Sequence, residues 1–347
     1  MSLALYRKYR PQEFDDVRGQ DQVVKPLQGA LKQGNISHAY LFTGTRGTGK
    51  TSVARIVARA LGTTDTDLYE LDAASNRGIE DVRALREAVN TLPFESTYKV
   101  YIIDEVHMLT KEAFNALLKT LEEPPAHVIF ILATTELEKL PETIVSRCEV
   151  HTFKSPSRKL LKEYVVEVAK KEGFKLEHAA GELIALLADG SFRDANGVLQ
   201  KILASSSDKT VSVDEVALIM SAPKGELVNG ILYAIQESDA SRGLAALRSA
   251  TDSGVDMKVF AKLLLEKLRA VLLLRYSKDM KDVFAEEFSE EDLSILEGFA
   301  HTENPKINST VLTRFLDAYG AVSRAYIAHL PLELALVDTV SPHEVQR

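Results

Sequence analysis

The stretch HAYLFTGTRGTGKTSVARI, residues 38–56, decides the fold of the first part of this chain. Its centre, GTRGTGKT at residues 44–51, matches the pattern G-x-x-x-x-G-K-[ST] in full. An apolar run precedes the glycines, and residues 51–61 follow with their apolar side chains on one helical stripe. The alternative is a chance glycine turn, but a strand before the turn and an amphipathic helix after it favour a phosphate-binding loop.

Each residue type in such a loop has a physical task. Glycines 44, 47 and 49 let the backbone wrap closely and direct N–H groups at phosphate oxygens. Lys50 is expected to reach the β- and γ-phosphates, and the Thr51 hydroxyl to be a ligand of Mg²⁺. The helix that follows directs its positive end at the phosphates. The predicted ATP-binding segment consists of Gly44, Thr45, Arg46, Gly47, Thr48, Gly49, Lys50, Thr51 and Ser52.

Two adjacent acids end a second apolar run, KVYIIDE at residues 99–105. Asp104 is suited to hold Mg²⁺ through water, and Glu105 to orient and polarise the attacking water molecule. The alternative is an exposed acidic turn after a buried strand. Together with the phosphate-binding loop, the pair predicts a site for the hydrolysis of ATP.

Two polar positions further along the chain are candidates for contact with the γ-phosphate. Thr135 closes ATT, residues 133–135, at the end of another apolar run, where it could bind the attacking water or the phosphate. Arg193, in GSFRDA at residues 190–195, begins a helix and could reach back to the same phosphate. The alternatives are a simple strand-end threonine and a surface arginine.

The order of the apolar segments predicts an α/β domain followed by helices. Strands are predicted at residues 38–44, 67–73, 99–104 and 127–135, all buried, with helices between them. This alternation is typical of a parallel sheet covered on both faces. We predict an α/β nucleotide-binding domain at residues 1–153, an all-helical domain at 154–222 and a second helical domain at 223–347. Its longest helix, residues 257–276, is so apolar that we expect it to be packed on most sides.

Composition excludes several classes of protein. Among 347 residues, Cys148 is the only cysteine, which excludes an internal disulfide and any zinc site built from several cysteines. The absence of a long apolar run and of a signal peptide leads us to expect a cytoplasmic protein without a membrane partner. The net charge of −8 argues against a protein that coats nucleic acid, although basic residues crowd the first sixty positions and leave room for a local basic face.

Six segments occur in an order that resembles a known family: residues 6–20, 38–56, 71–83, 99–125, 130–148 and 190–195. They closely resemble the gamma/tau subunits of bacterial DNA polymerase III, which are AAA+ clamp-loader ATPases. The resemblance is dense over residues 1–220 and thin beyond. It implies an AAA+ domain, a helical lid and a helical collar. It also implies an ATPase that works in a pentameric-type ring with other loader subunits, opens a sliding clamp and loads it on primed DNA.

The resemblance also implies roles for individual residues. Lys50, Thr51, Asp104 and Glu105 would form the ATP and Mg²⁺ site. Thr135 would be the first nucleotide sensor, with Thr134 as the alternative, and Arg193 the second sensor. Arg147, in the tripeptide SRC, would be an arginine finger that acts on ATP bound to the neighbouring subunit, unless it merely caps the sheet. The implied adenine-side residues are Tyr9, Arg10, Pro11, Val17 and Gly19.

A further implied site faces DNA in the centre of the ring. It consists of Ser75, Asn76 and Arg77, which would open a helix and offer N–H groups and one positive charge to a phosphate. Alternatively, Asp72 or Ser75 only caps that helix.

One departure from the family pattern concerns zinc. The family usually carries a four-cysteine module where this chain has only GTTDTDL, residues 62–68, so we predict no structural zinc. The small subunits of replication factor C also lack the module and are an alternative relationship, although residues 38–56 and 99–125 match gamma/tau more closely. Two other functions stay open: a structural subunit that only braces a ring, and another AAA+ machine such as a branch-migration helicase.

Overall fold

A computed structural model describes residues 3–75, 87–206, 208–277, 279–285 and 287–341. The chain divides into two compact units. The first contains Met1–Leu161 and Ala188–Gly197, and the second contains Lys162–Leu187 and Val198–Arg347. The proposed boundaries near residues 153 and 222 remain predictions.

A five-stranded sheet forms the centre of the first unit. Its strands are β1 (Ala39–Thr43), β2 (Leu68–Asp72), β3 (Lys99–Asp104), β4 (Val128–Thr134) and β5 (Glu149–Thr152). Their order is β2-β3-β4-β1-β5, and every neighbouring pair is parallel. The predicted parallel sheet is therefore confirmed. Because the strands run in one direction, their carboxyl ends lie on the same side of the sheet. The loop after β1 therefore lies near Asp104, which ends β3, and Glu105, which follows it.

Apolar helices cover both faces of this sheet. Alternate side chains of a strand point to opposite faces, so Leu41 and Phe42 of β1 enter different apolar clusters. The helices that close the clusters are Lys111–Glu122 and Glu142–Val145 on the Leu41 face, and Asp21–Gln33 and Lys50–Ala60 on the Phe42 face. The unit also contains the helix Leu5–Lys8 and the short 3-10 turns Phe14–Asp16, Val106–Met108 and Leu137–Lys139.

Two strands differ from the sequence-based expectation. The prediction that β2 is buried is wrong: β2 lies at the edge of the sheet, its side chains are partly or fully exposed, and Tyr69 is 39% exposed. β5, at the opposite edge, was not predicted. It has four residues, of which His151 is the buried one, so its sequence carries no alternating apolar pattern.

The second unit is built almost entirely from helices. They are His178–Leu187, Val213–Ile219, Gly225–Glu237, Ala240–Asp252, Met257–Tyr276, Met280–Ala285, Glu290–Ala300, Ser309–Val322 and Leu330–Val340. Two more helices, Arg158–Lys171 and Phe192–Ser205, contain positions at which the chain passes from one unit to the other. None of the helices in the described part of the chain combines the length and the apolar character that a membrane span needs.

The prediction of an all-helical segment at residues 154–222 is wrong in one detail. Two residues of β6 (Lys175–Leu176) pair in parallel with two of β7 (Thr210–Val211). A pair this short has no periodicity that a sequence could reveal.

The long helix Met257–Tyr276 is packed on most sides, as predicted. Phe260, Leu264 and Leu268 belong to the apolar cluster that fills the second unit. Lys267 is buried on the same helix, where its Nζ donates hydrogen bonds to Asp292 at 2.5 Å and Asn229 at 2.8 Å. The buried cation thus has polar partners, which limits the cost of removing it from water.

Candidate nucleotide-binding site

The glycine loop connects β1 to the helix Lys50–Ala60. Gly44, Gly47 and Gly49 all have positive φ angles, of 142°, 77° and 108°. A Cβ on Gly47 would lie 2.0 Å from the Oγ of Ser191, so both the backbone angle and the space exclude a larger residue there. The geometry explains why this chain has glycine at position 47, which the sequence pattern itself leaves open.

A second segment of the first unit holds the loop in place. The carbonyl of Gly47 accepts a hydrogen bond of 3.1 Å from the backbone N–H of Phe192. The Oγ of Ser191 accepts one of 3.1 Å from the N–H of Asp194, as a helix cap does. The start of the helix that carries Arg193 is therefore fastened to the glycine loop. Ser191 was not among the residues predicted from the sequence.

Lys50 lies inside the loop. Its side chain donates hydrogen bonds to the carbonyls of Gly44 at 2.7 Å and Thr45 at 2.9 Å, and the residue is 5% exposed. Burial lowers the pKa of Lys50, while the carboxylates of Glu105 and Asp104 act in the opposite direction. The charges of both carboxylates therefore act on the lysine.

The two residues predicted to bind Mg²⁺ contact each other. The Thr51 hydroxyl donates a hydrogen bond of 2.8 Å to Oδ2 of Asp104. The other carboxylate oxygen, Oδ1, accepts one of 3.0 Å from the backbone N–H of Glu105. Hydroxyl and carboxylate oxygens are the hard donors that Mg²⁺ prefers. The donor set therefore fits this ion.

Glu105 has a left-handed backbone, with a φ of 48°. Its Oε2 accepts a hydrogen bond of 3.0 Å from the Thr135 hydroxyl, and Nδ1 of His107 lies 3.5 Å from the same oxygen. Thr134 is fully buried, and its hydroxyl lies 2.9 Å from Nδ1 of His107. Of the two threonines considered as sensors, Thr135 is thus the one that contacts Glu105. His107 was not predicted, although it stands only two residues after Glu105.

Two arginines extend the positive charge around the loop. The Nε of Arg10 donates a hydrogen bond of 3.1 Å to the Ser52 hydroxyl, and the guanidinium of Arg193 lies 5.9 Å from the ring centre of Tyr6. Burial lowers the pKa of Arg10, and the nearby charge of Arg193 adds to this decrease. Both arginines lie close to this end of the sheet, and their contacts with adenine and with the γ-phosphate stay predictions.

The remaining adenine-side candidates follow the helix Leu5–Lys8 in the chain. Tyr9 ends that helix, with Nζ of Lys8 5.6 Å from its ring centre, and Pro11 is partly buried. Val17 packs against the apolar cluster on the Phe42 face. Whether these residues contact adenine stays a prediction.

Gly19 and the residue after it join this segment to the end of the sheet. Gly19 has a φ of 66°, and a Cβ there would lie 2.5 Å from a side-chain carbon of Leu160. Gln20, which was not predicted, is buried and makes two hydrogen bonds to the backbone of Lys154. Its Nε2 donates to the carbonyl at 2.7 Å, and its Oε1 accepts from the N–H at 3.1 Å.

Arg147 lies apart from the contacts of the glycine loop. Its guanidinium donates one hydrogen bond of 2.7 Å to the carbonyl of Thr143 and another of 2.7 Å to the carboxylate of Glu122. The Arg147 side chain is 33% exposed. The guanidinium is therefore held at two points and is partly exposed to solvent. Its role as a finger stays a prediction.

The predicted DNA-facing segment is only partly covered by the structure. Ser75 lies in a turn, where its hydroxyl donates a hydrogen bond of 3.2 Å to Asp72. Asp72 also accepts one of 2.9 Å from the N–H of Ala74 and thereby stabilises the turn. Asn76 and Arg77 lie outside the described residues, so their role stays a prediction.

Family models match both ends of the chain. The model described as the delta subunit of DNA polymerase III matches residues 19–75 and 63–157. The model described as domain III of DNA polymerase III subunits gamma and tau matches residues 211–345.

Curated relatives carry names from the same family. The chain is 40% identical over 301 residues to DNA polymerase III subunit tau of Bacillus subtilis, a match that covers 81% of this chain and 53% of the relative. It is 38% identical over 300 residues to subunit gamma/tau of Mycobacterium tuberculosis H37Rv, covering 80% and 52%. It is 38% identical over 294 residues to subunit tau of Escherichia coli K12, covering 79% and 46%. The chain spans about half the length of these relatives.

Among solved structures, the chain is similar to the RuvB Holliday junction branch migration motor of Thermotoga maritima. The TM-score is 0.53 at 24% identity, and the match covers 72% of this chain and 86% of that one. This likeness concerns the fold alone. With the parallel sheet and the helical second unit, it confirms the predicted fold, a parallel α/β domain followed by helices.

Proposed function

The chain belongs to the gamma/tau family of DNA polymerase III subunits, and from this premise we propose that it is an ATPase motor subunit of a clamp loader. In this proposal, ATP binding and hydrolysis drive the opening of a sliding clamp and its loading on primed DNA. The observation that carries the proposal is the pair of hydrogen bonds Thr51–Asp104 and Thr135–Glu105, which lie at one edge of the sheet beside the glycine loop. They support the proposal because they join the helix after the glycine loop and the end of β4 to the two acids that would bind Mg²⁺ and orient water.

ATP binding would use groups that already face one another. The backbone of the loop would donate N–H groups to the phosphates. Lys50 would exchange its hydrogen bonds to the carbonyls of Gly44 and Thr45 for bonds to the β- and γ-phosphates. Thr51 and Asp104 would hold Mg²⁺, which neutralises charge on the phosphates when bound.

Hydrolysis would depend on Glu105 and on charges from two subunits. Glu105 would orient and polarise the attacking water, with its Oε2 held by Thr135. Arg193 would contact the γ-phosphate from the same chain, because its helix is fastened to the loop at Gly47. Arg147 would act on ATP held by the neighbouring subunit of the ring. ATP can favour the assembled state only by binding it more tightly than the free subunits, and these two arginines would supply that difference.

The test is ATP turnover by this chain together with loader subunits, measured with primed DNA, with sliding clamp and with both. We expect the largest stimulation when clamp and primed DNA are present together. Absence of turnover in every condition would favour the structural subunit that only braces the ring. Turnover that drives strand separation and ignores the clamp would favour another AAA+ machine, such as a branch-migration helicase.

A further inference from the structure

We propose that His107 is a positioning residue for hydrolysis, which holds the carboxylate of Glu105 in orientation and is itself held by Thr134. The inference rests on the proposed ATPase function and adds two residues to it. Neither His107 nor Thr134 needs to touch ATP in this role. Both would act through Glu105.

The His107 ring lies between the end of β4 and the carboxylate of Glu105. His107 lies in the 3-10 turn Val106–Met108, directly after the acidic pair. Its side chain is 6% exposed, so the ring has no room to turn towards solvent. Nδ1 lies 2.9 Å from the Thr134 hydroxyl and 3.5 Å from Oε2 of Glu105. One ring nitrogen therefore faces both the end of β4 and the carboxylate that follows β3.

Thr134 has a well-defined position from which it can hold this ring. It is fully buried, and its backbone belongs to β4. Its hydroxyl oxygen also accepts a hydrogen bond of 3.0 Å from the backbone N–H of Glu136. A hydroxyl oxygen has two lone pairs, so it can accept from Glu136 and from His107 at once. The ring is therefore tied to the backbone of the strand end.

The neighbouring carboxylate selects which atom carries the shared hydrogen. If Nδ1 accepted from the Thr134 hydroxyl, an electron-rich nitrogen would lie 3.5 Å from Oε2 of Glu105, and the two negative atoms would repel. If Nδ1 carries the hydrogen, it donates to Thr134 and also presents a positive edge to the carboxylate. Electrostatics thus favour the form with hydrogen on Nδ1, in which His107 attracts Glu105.

Two contacts on one oxygen restrict Glu105 more than one contact does. The Thr135 hydroxyl alone would allow the carboxylate to rotate about that hydrogen bond. With His107 on the same Oε2, rotation is opposed, and Oε1 is directed away from these two contacts. The Glu105 side chain is 28% exposed, so water can reach it. The arrangement holds one oxygen and leaves the other to a water molecule.

The test compares His107→Leu with His107→Asn. Leucine removes the nitrogen, whereas the Nδ2 of asparagine can take the place of Nδ1, donate the same hydrogen bond to Thr134 and present a positive edge to Glu105. Each variant is assembled with loader subunits, clamp and primed DNA, and kcat and KM for ATP are measured. Binding of a fluorescent ATP analogue to the chain is measured separately. Glu105→Gln is the reference for loss of the water-orienting group.

For His107→Leu we expect kcat to fall by about ten- to a hundredfold, the usual scale for loss of a supporting or orienting group, with KM and analogue binding within about twofold of the parent. His107→Asn should recover most of the lost kcat. Thr134→Val should lower kcat in the same way, and Thr134→Ser, which keeps the hydroxyl, should not.

Three results would overturn the inference. The first is a His107→Leu protein with the parent's kcat while Glu105→Gln is inactive, which would leave the ATPase proposal intact. The second is an equal loss in His107→Leu and His107→Asn, since this would indicate packing and not hydrogen bonding. The third is a loss of analogue binding that accounts for the whole fall in turnover. Hydrolysis by Glu105→Gln at the parent's rate would instead contradict the role of Glu105 itself.

Discussion

The hydroxyl of Thr51 lies 2.8 Å from the carboxylate of Asp104, although 53 positions separate the two residues in the chain. Thr51 lies in the first turn of the helix after β1, and Asp104 ends β3. In the order of the sheet, β4 lies between β1 and β3, so the contact reaches across a strand that contributes neither residue. This hydrogen bond joins the two halves of the proposed ATP and Mg²⁺ site.

The first prediction concerns this pair. Thr51→Val removes the hydroxyl, so we expect the Mg²⁺ concentration for half-maximal hydrolysis to rise by about tenfold or more, on the scale known for groups that support metal ligands. Thr51→Ser keeps the oxygen and serves as the matched control, with a Mg²⁺ dependence close to that of the parent. Mg²⁺ titrations of ATP turnover check this. Equal Mg²⁺ dependence in the valine and serine variants would remove Thr51 from the site.

The second prediction is that Lys50→Ala abolishes ATP binding. The variant loses the Lys50 ammonium group, which donates to the carbonyls of Gly44 and Thr45 and which we expect to bind the β- and γ-phosphates. Equilibrium binding of a fluorescent ATP analogue measures the effect. Lys32→Ala, at an exposed position on the helix Asp21–Gln33, changes the same residue type and should bind as the parent does. Binding by Lys50→Ala at the parent's affinity would contradict the assignment of the loop.

The third prediction separates binding from hydrolysis. Arg147→Ala should bind ATP nearly as well as the parent, because Arg147 bonds to Thr143 and Glu122 and not to the loop of its own chain. Its assembled form should hydrolyse ATP far more slowly, since a finger in trans is worth about 10³–10⁵ in rate in other nucleotidases. Single-turnover hydrolysis in the assembly checks this.

A mixing experiment tests whether Arg147 acts in trans. Lys50→Ala chains keep the finger and lack ATP, whereas Arg147→Ala chains keep ATP and lack the finger. Assemblies that contain both should recover some hydrolysis, because a finger from one chain can meet ATP on the other. Normal hydrolysis by an assembly of Arg147→Ala alone would remove the finger assignment.

The fourth prediction concerns stability in acid. Asp67 is buried and accepts hydrogen bonds of 2.7 to 2.9 Å from the backbone N–H groups of Phe94, Glu95 and Ser96. Burial by itself raises the pKa of Asp67, but these bonds outweigh it and lower the pKa from 3.8 to about 2. A lowered pKa stabilises the folded state above the unfolded value, and this contribution is lost as the pH falls towards 2.

Asp67→Asn should therefore be less stable than the parent at pH 7, and the difference should shrink between pH 5 and pH 2. Thermal unfolding across this pH range is the measurement. Asp65→Asn, at an exposed neighbouring position, is the matched control and should follow the parent at every pH. A constant difference between Asp67→Asn and the parent down to pH 2 would show that the carboxylate does not carry the effect.

Much of the site could be predicted because its motifs are local. The glycine loop, Lys50 and Thr51 are adjacent in the chain, and Asp104 and Glu105 end an apolar run that is visible as a strand. Other parts left no such signal. β5 is too short to show an alternating apolar pattern. The contacts of His107 with Thr134 and Glu105 form only when the chain folds, so no local pattern indicates them. The nearest hint was its place two residues after the acidic pair.

The sequence by itself determined strands β1 to β4 and their alternation with helices, the residue types of the glycine loop and the family to which the chain belongs. These depend on backbone angles, apolar periodicity and short spacings, all of which are properties of neighbouring residues. Only the tertiary structure decided that Thr135, and not Thr134, contacts Glu105, and that Gln20 joins Lys154 and Arg147 joins Glu122. Such contacts depend on which strand ends and helices meet in space, and that follows from how the whole chain packs.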